Sequence, residues 1–289
     1  MRTLELQVDR GDVGERIDRF VSTRIRSLSR TLVVELVALG FVAVDGEPAR
    51  RASQRLLRPG RVTVTVPGTD AHEARVAEPR VLHLDDWLLA IDKPSGLPVS
   101  ARLTRGGDDA VGAGRRILAA RGLAPEGDAE AFLGTPHRLD RPTSGVLVLA
   151  RTRDAARALT EAFASRRTRK SYLAWVGGSP PASSGAIDAP IHAPGDGEAR
   201  IDPVLGRPAR TRYRVARRAG ARTLLVLGLL TGRTHQLRLH LAHVGCPIVG
   251  DELYGGEPAP RLLLHARRLV LPHPATGEPL VLRAPAPFD

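Results

Sequence analysis

One carboxylate, Asp140, lies between two guanidinium side chains in the segment His137-Arg138-Leu139-Asp140-Arg141-Pro142-Thr143-Ser144-Gly145. Cationic neighbours favour the charged form of a carboxylate, and a charged carboxylate can serve as a nucleophile or as a base. A Thr-Ser-Gly turn and the apolar run Val146-Leu147-Val148-Leu149 follow it. A buried strand there would hold Asp140 rigidly at its end, facing a cleft. On spacing alone, a structural Asp–Arg pair is a better reading than catalysis. His235, His240 and His243 suggest a metal at first sight. The five-residue step from 235 to 240 does not share a helical face, however, and no cysteine completes a ligand set. No metal site is expected.

The charge balance names the partner class. With 43 basic against 31 acidic residues, the formal charge is +12. Such an excess points to a polyanion, because each neutralised phosphate releases condensed counterions. Nucleic acid is the first expectation and an anionic membrane surface the second. Only Lys93 and Lys170 are lysines, so 43 minus 2 leaves 41 arginines. Cys246 is the sole cysteine, which excludes an intrachain disulfide and any cysteine-based metal site. The N-terminus carries charges where a secretion signal needs an apolar run, and the longest apolar run, Leu224 to Leu230, falls far short of the ~20 residues of a membrane span. A cytoplasmic protein is expected.

A chain of 289 residues is long enough for more than one domain. Residues 1–70 read as a small unit of two short helices and a few strands. One helix opens at Arg16-Ile17-Asp18-Arg19. A second, N-capped by Ser29, runs from about Arg30 to Leu39 with Leu32, Leu36 and Leu39 at helical spacing, and stops at Gly40. Asp45-Gly46 signals a hairpin, and Arg61 to Val66 alternates like a strand. Residues 71–79 form a linker, within a stretch from Pro67 to Pro79 that contains Gly, Ala and Glu. Residues 80–289 contain strand candidates at Leu88 to Ile91, Val146 to Ala150, Tyr172 to Val176, Thr211 to Val215 and Thr223 to Leu230, with more between Leu262 and Val281. Helices are expected from about Arg153 to Arg166 and from near Thr234 to Gly245. Strands and helices do not alternate regularly, so an α+β fold with a mixed, largely antiparallel sheet is expected.

Two resemblances sharpen this reading. The N-terminal unit resembles an S4 domain, a small RNA-binding module. The likeness rests on Arg16-Ile17-Asp18, Leu28-Ser29-Arg30, Gly40 to Gly46 and Leu57-Arg58-Pro59-Gly60. Asp45 stands where that module usually has Asn. The remainder resembles the RluA-type family of RNA pseudouridine synthases. Besides the Asp140 segment, the matching stretches are Ile91-Asp92-Lys93-Pro94-Ser95-Gly96-Leu97-Pro98-Val99, Lys170-Ser171-Tyr172-Leu173-Ala174, Thr231 to His240, and Gly250 to Gly255. Leu264-His265-Ala266 and His273-Pro274 also fit.

That resemblance implies an isomerase needing no cofactor and no metal. It would cleave the N1–C1′ bond of a uridine, turn the uracil over and rejoin it through C5. Asp140 would be the catalytic carboxylate, either attacking C1′ or helping to remove the C2′ proton. Arg233 would hold Asp140 charged and oriented, and Tyr172 would stack on the uracil and handle the C5 proton. Leu237 would line the other side of the base. Arg138 would fill the place the base vacates or grip a neighbouring phosphate, with His137, Arg141 and Lys93 as further substrate-side or supporting positions. An S4-like unit favours large-subunit ribosomal RNA as substrate, with tRNA as the alternative and a monomer as the default. A non-catalytic RNA-binding or ribosome-assembly protein is the rival reading, disfavoured by Asp140, Tyr172 and Arg233 occurring together. A sugar glycosidase would need a second carboxylate, and none stands out near these segments.

Overall fold

The structure, a computed structural model, describes residues 2–25, 28, 30–66, 78–100, 109–124, 131–194 and 198–288. These fall into two compact units that divide between residues 66 and 78. The first contains β1 (Arg2–Val8), α1 (Ile17–Arg24), α2 (Arg30–Ala38), β2 (Val42–Val44), β3 (Glu47–Pro48) and β4 (Gly60–Val66), with strand order β1-β4-β2-β3. Asp45 and Gly46 both take positive φ, 52° and 86°, as a tight β2–β3 turn requires. Ile17, Phe20, Val33, Leu36, Val62 and Val64 form its core. Leu39 is an exception to the expected helical stripe at 67% exposure, because α2 has ended at Ala38. Ser29 and the side chain of Leu32 lie outside the described residues.

Most arginines of this unit have partners. The buried Asp18 carboxylate receives Arg16 and Arg30 at 3.0 Å each. Burial alone would raise the Asp18 pKa, but the two guanidinium groups outweigh it and lower it. Arg19, Arg24, Arg58 and Arg61 meet Glu15, Asp12, Asp45 and Glu5. Arg50 and Arg51 are exposed and form no ion pair among the described residues.

The second unit is a nine-stranded sheet. Its strands are β5 (Arg80–Leu84), β6 (Leu88–Lys93), β7 (Ser144–Ala150), β8 (Arg169–Gly177), β9 (Ser184–Asp188), β12 (Arg210–Ala219), β13 (Arg222–Leu229), β14 (Leu264–Pro272) and β15 (Pro279–Arg283). The pair β10 (Ile191–His192) and β11 (Arg200–Ile201) stands apart from it. The helices are α3 (Ala110–Ala119), α4 (Arg153–Ala164) and α5 (Gln236–His243). The order is β5-β6-β7-β14-β8-β13-β12-β9 with β15 on β14, and every pairing is antiparallel except β7 with β14. The mixed, largely antiparallel α+β architecture is as expected.

All seven residues of β7 are buried, which places the strand that follows Asp140 at the heart of the core. Gly145 is required where β7 meets β14. Its φ is 112°, and a Cβ there would lie 2.4 Å from the Ala266 carbonyl oxygen. The Thr152 hydroxyl caps α4 by accepting from the Ala155 N–H at 3.0 Å. Helix α3 was not foreseen, since Gly112 and Gly114 argue against a helix. Packing overrides propensity there: a Cβ on Gly114 would sit 2.8 Å from Leu133 and 2.9 Å from Leu149. His83 and His273 both meet Asp85 Oδ2, while Asp85 Oδ1 accepts the Trp87 and Leu88 N–H groups, so the β5–β6 turn is pinned to the β14–β15 hairpin. Among the described residues no helix is long and apolar enough to cross a membrane.

Candidate active site

The loop carrying Asp140 is gripped by the turn that leaves β6. Lys93, with no exposed surface, donates from Nζ to the carbonyls of Pro94 at 3.1 Å, Leu97 at 2.7 Å and Arg141 at 3.1 Å. The Ser95 hydroxyl donates to the Pro142 carbonyl at 2.7 Å, and the Gly96 N–H donates to the Arg141 carbonyl at 2.9 Å. Arg141 Nε returns a bond to the Gly96 carbonyl at 3.0 Å. Burial pushes the Lys93 pKa down to about 7, against the opposing pull of the Asp140 charge. Lys93 is therefore a support of the loop and not a substrate contact. All three of its donors are spent on backbone.

Asp140 itself is half-buried, and its negative charge reaches Lys93, Tyr172, His235, Arg238 and Tyr254. These come from β6, β8, α5 with its N-cap, and the short turn after residue 251, so four separate stretches converge on one carboxylate. Tyr172 is 6% exposed, and burial followed by the charge of Asp140 raises its pKa well above that of a free phenol. Its hydroxyl is thus protonated at neutral pH. Leu237, 5% exposed, belongs to the same apolar cluster as Tyr172, Leu97, Val99 and Leu139.

The guanidinium that feels the charge of Asp140 is that of Arg238 and not that of Arg233, the residue expected in this role, although neither forms an ion pair with Asp140 among the described residues. Arg238 Nε and Nη2 bind Asp251 Oδ2 and Oδ1 at 2.8 and 2.6 Å, with 8% and no exposure for the two side chains. It also lies 4.9 Å from the centroid of the Tyr254 ring. Burial would lower the Arg238 pKa, but the bonds and charge of Asp251, aided by Asp140, hold it above the ordinary value. Arg233 instead donates from Nε to the Pro208 carbonyl at 3.2 Å, and no ion pair joins it to Asp140 among the described residues. The reason is local. The chain between Gln236 and Leu241 faces the interior, whereas Arg233 lies in the loop before α5 begins.

His137 is also not a substrate ligand. Its Nε2 accepts the Val148 N–H at 3.0 Å, covering the edge of β7 beyond its short pairing with β14. The ring stacks on Phe163 at 4.6 Å, and burial lowers its pKa to about 3. Arg138 is exposed, as a residue that reaches toward nucleic acid must be.

Sequence reasoning missed Arg238, Asp251, His235 and Tyr254. His235 takes φ 52°, an unusual backbone for a side chain other than glycine, and its Nδ1 lies 2.8 Å from the Tyr254 hydroxyl. That hydroxyl donates to the Ala199 carbonyl at 3.2 Å, so the His235 Nδ1 carries the proton shared between them. Burial pushes the Tyr254 pKa up to about 12 and lowers that of His235. The signal was present in the adjacency of Arg238 to Leu237. In an arginine-rich chain nothing set it apart from Arg233.

Residues 87–243 match the family model described as RNA pseudouridylate synthase. The chain belongs to that family, in its RluA-type branch. The synthase is 38% identical to "Ribosomal large subunit pseudouridine synthase D" of Xanthomonas campestris pv. campestris, over 96% of this chain and 87% of that one. It is also 38% identical to "Dual-specificity RNA pseudouridine synthase RluA" of Escherichia coli K12, over 72% of this chain and 93% of that one. The solved structure of "Human RNA Pseudouridylate Synthase Domain Containing 4" shares 30% identity with the synthase at a TM-score of 0.59, covering 72% of this chain and 88% of that one. The synthase is therefore an isomerase that converts uridine in RNA to pseudouridine.

Proposed function

We propose that this synthase isomerises uridine in large-subunit ribosomal RNA, with Asp140 as the catalytic carboxylate. The observation that carries the assignment of Asp140 is its place at the focus of Tyr172, His235, Arg238, Tyr254 and Lys93. The ribosomal substrate is supported by the large-subunit activity for which the Xanthomonas relative is named, a protein that matches nearly the full chain. A cytoplasmic location follows from that substrate.

In this reading the target base leaves its stack, at a cost of a few kcal/mol, and lies between Tyr172 and Leu237. Arg138 takes the vacated place or holds the next phosphate. Asp140 then acts on the ribose, either at C1′ or on the C2′ proton. The N1–C1′ bond breaks, the uracil turns, and C5 forms the new bond while losing its proton. Tyr172 enters this step protonated, so its hydroxyl positions the base and can take the C5 proton only while passing its own proton on to water. Tyr172→Phe keeps the stacking ring and is expected to slow turnover about 100-fold or more, the usual worth of a positioned acid–base group. Turnover at the wild-type rate in a single-turnover assay would remove the hydroxyl from the chemistry.

The N-terminal unit serves as an S4-like RNA anchor. Its support is the exposed, unpaired Arg50 and Arg51 on a unit whose other described arginines mostly meet carboxylates. Replacing both by glutamine is expected to weaken RNA binding and to flatten its salt dependence by roughly one phosphate per arginine. A filter-binding titration with an unchanged salt slope would show that this unit does not touch RNA.

A further inference from the structure

Three arginines from separate segments lie within reach of one another's charge, with no carboxylate paired to any of them among the described residues. Arg166 follows α4, Arg207 lies between β11 and β12, and Arg233 lies in the loop before α5. The bond from Arg233 Nε to the Pro208 carbonyl, 3.2 Å long, sets this guanidinium beside Arg207. It leaves four of the five N–H groups of Arg233 for another acceptor. Burial, then the positive charges of Arg207 and Arg166, push the Arg233 pKa down. None of the three forms an ion pair among the described residues, whereas Arg157, Arg167, Arg200 and Arg222 each meet a carboxylate. Like charges gathered this way repel one another until an anion joins them.

Arg166 supplies a second, independent observation. Its φ is 58°, in the left-handed region, where α4 closes with Arg166 N–H on the Phe163 carbonyl at 3.4 Å and Arg167 N–H on the Ala162 carbonyl at 3.0 Å. Glycine is the usual residue at such a helix end because it fits without strain. This chain keeps a cation there instead. The cluster is also close to the chemistry. Arg233 stands two residues before His235, whose ring lies in the field of Asp140, and two residues span at most about 7 Å.

We propose that Arg166, Arg207 and Arg233 together bind one phosphate of the RNA backbone near the uridine being isomerised. The inference rests on the assignment of Asp140 as the catalytic carboxylate. Planar guanidinium groups suit phosphate because each can bind two of its oxygens at once. A clamp of this kind reads no base. It fixes the distance along the strand from the held phosphate to Asp140.

Arg166→Gly tests the clamp, because glycine suits the left-handed backbone and thermal stability is expected to hold or rise. The probe is an unmodified transcript of large-subunit ribosomal RNA. Its Kd is expected to rise about tenfold, with a log–log salt slope shallower by about 0.7 to 0.9, the worth of one phosphate. Arg157→Ala, which removes a cation from the exposed face of the same helix, is expected to change Kd by less than about twofold. Should Arg166→Gly fail to fold, Arg207→Gln gives the same reading from an exposed loop side chain. Wild-type affinity and salt slope in a folded variant would overturn the proposal, as would equal effects of Arg166→Gly and Arg157→Ala. Affinity is read separately from turnover. A transcript that is bound but not isomerised counts against the substrate assignment, while the clamp is still decided by Kd.

Discussion

Asp140→Asn is expected to bind RNA at least as tightly as the wild type and to form no pseudouridine. The amide keeps the size of the carboxylate but loses its charge and its basic lone pairs. Attack on C1′ and removal of the C2′ proton both require the anion, so either route is closed. The loss is expected to be about 1,000-fold or more, in line with the removal of a nucleophile or a positioned base. Binding does not suffer, because an uncharged side chain repels the phosphate backbone less than a carboxylate does. Quantifying pseudouridine after overnight incubation with the purified variant checks this, and product at more than a trace would remove Asp140 from the chemistry.

The buried Arg238–Asp251 pair carries the second large effect. Both side chains are out of water and joined by two bonds of 2.8 and 2.6 Å. Asp251→Asn strands the guanidinium without its counter-charge, which in comparable buried pairs costs about 3–5 kcal/mol of stability. Replacing both partners by apolar residues, Arg238→Met with Asp251→Leu, is expected to cost far less, since no buried charge is left alone. That double variant is nevertheless expected to be inactive, because a cation in the field of Asp140 is gone. Urea denaturation of the three proteins separates the two roles. A loss below about 1 kcal/mol in Asp251→Asn would show that the pair is hydrated, and a stable, active double variant would show that Arg238 is structural only.

Much of the scaffold was legible because local rules and packing agree. Val146 to Ala150 reads as a buried strand and forms the fully buried β7, while Asp45-Gly46 makes the tight turn its residue types favour. Thr152 marks the start of α4, and its hydroxyl makes the cap. Helix α3 was not legible, because Gly114 is there for close approach to Leu133 and Leu149, a fact of tertiary packing alone. Within the site, the segments were visible but the wiring was not. Arg233 and Arg238 lie five residues apart in one motif, and only the start of α5 at Gln236 decides which of them turns inward. Lys93 and His137 fall in recognisable motifs, yet the Lys93 Nζ and the His137 Nε2 are taken up by backbone groups of the Asp140 loop and of β7. Spacing cannot reveal a partner that is a carbonyl or an N–H elsewhere in the chain.

The central claim is that the site built around Asp140 isomerises uridine in large-subunit ribosomal RNA. Forming the C5 glycosidic bond expels the C5 hydrogen, so a transcript labelled with [5-³H]uridine reports the reaction directly. With the purified wild-type protein, large-subunit ribosomal RNA is predicted to release tritium equivalent to a small whole number of uridines per molecule, and a tRNA transcript to release none. No release from ribosomal RNA, or release from tRNA alone, would contradict the account.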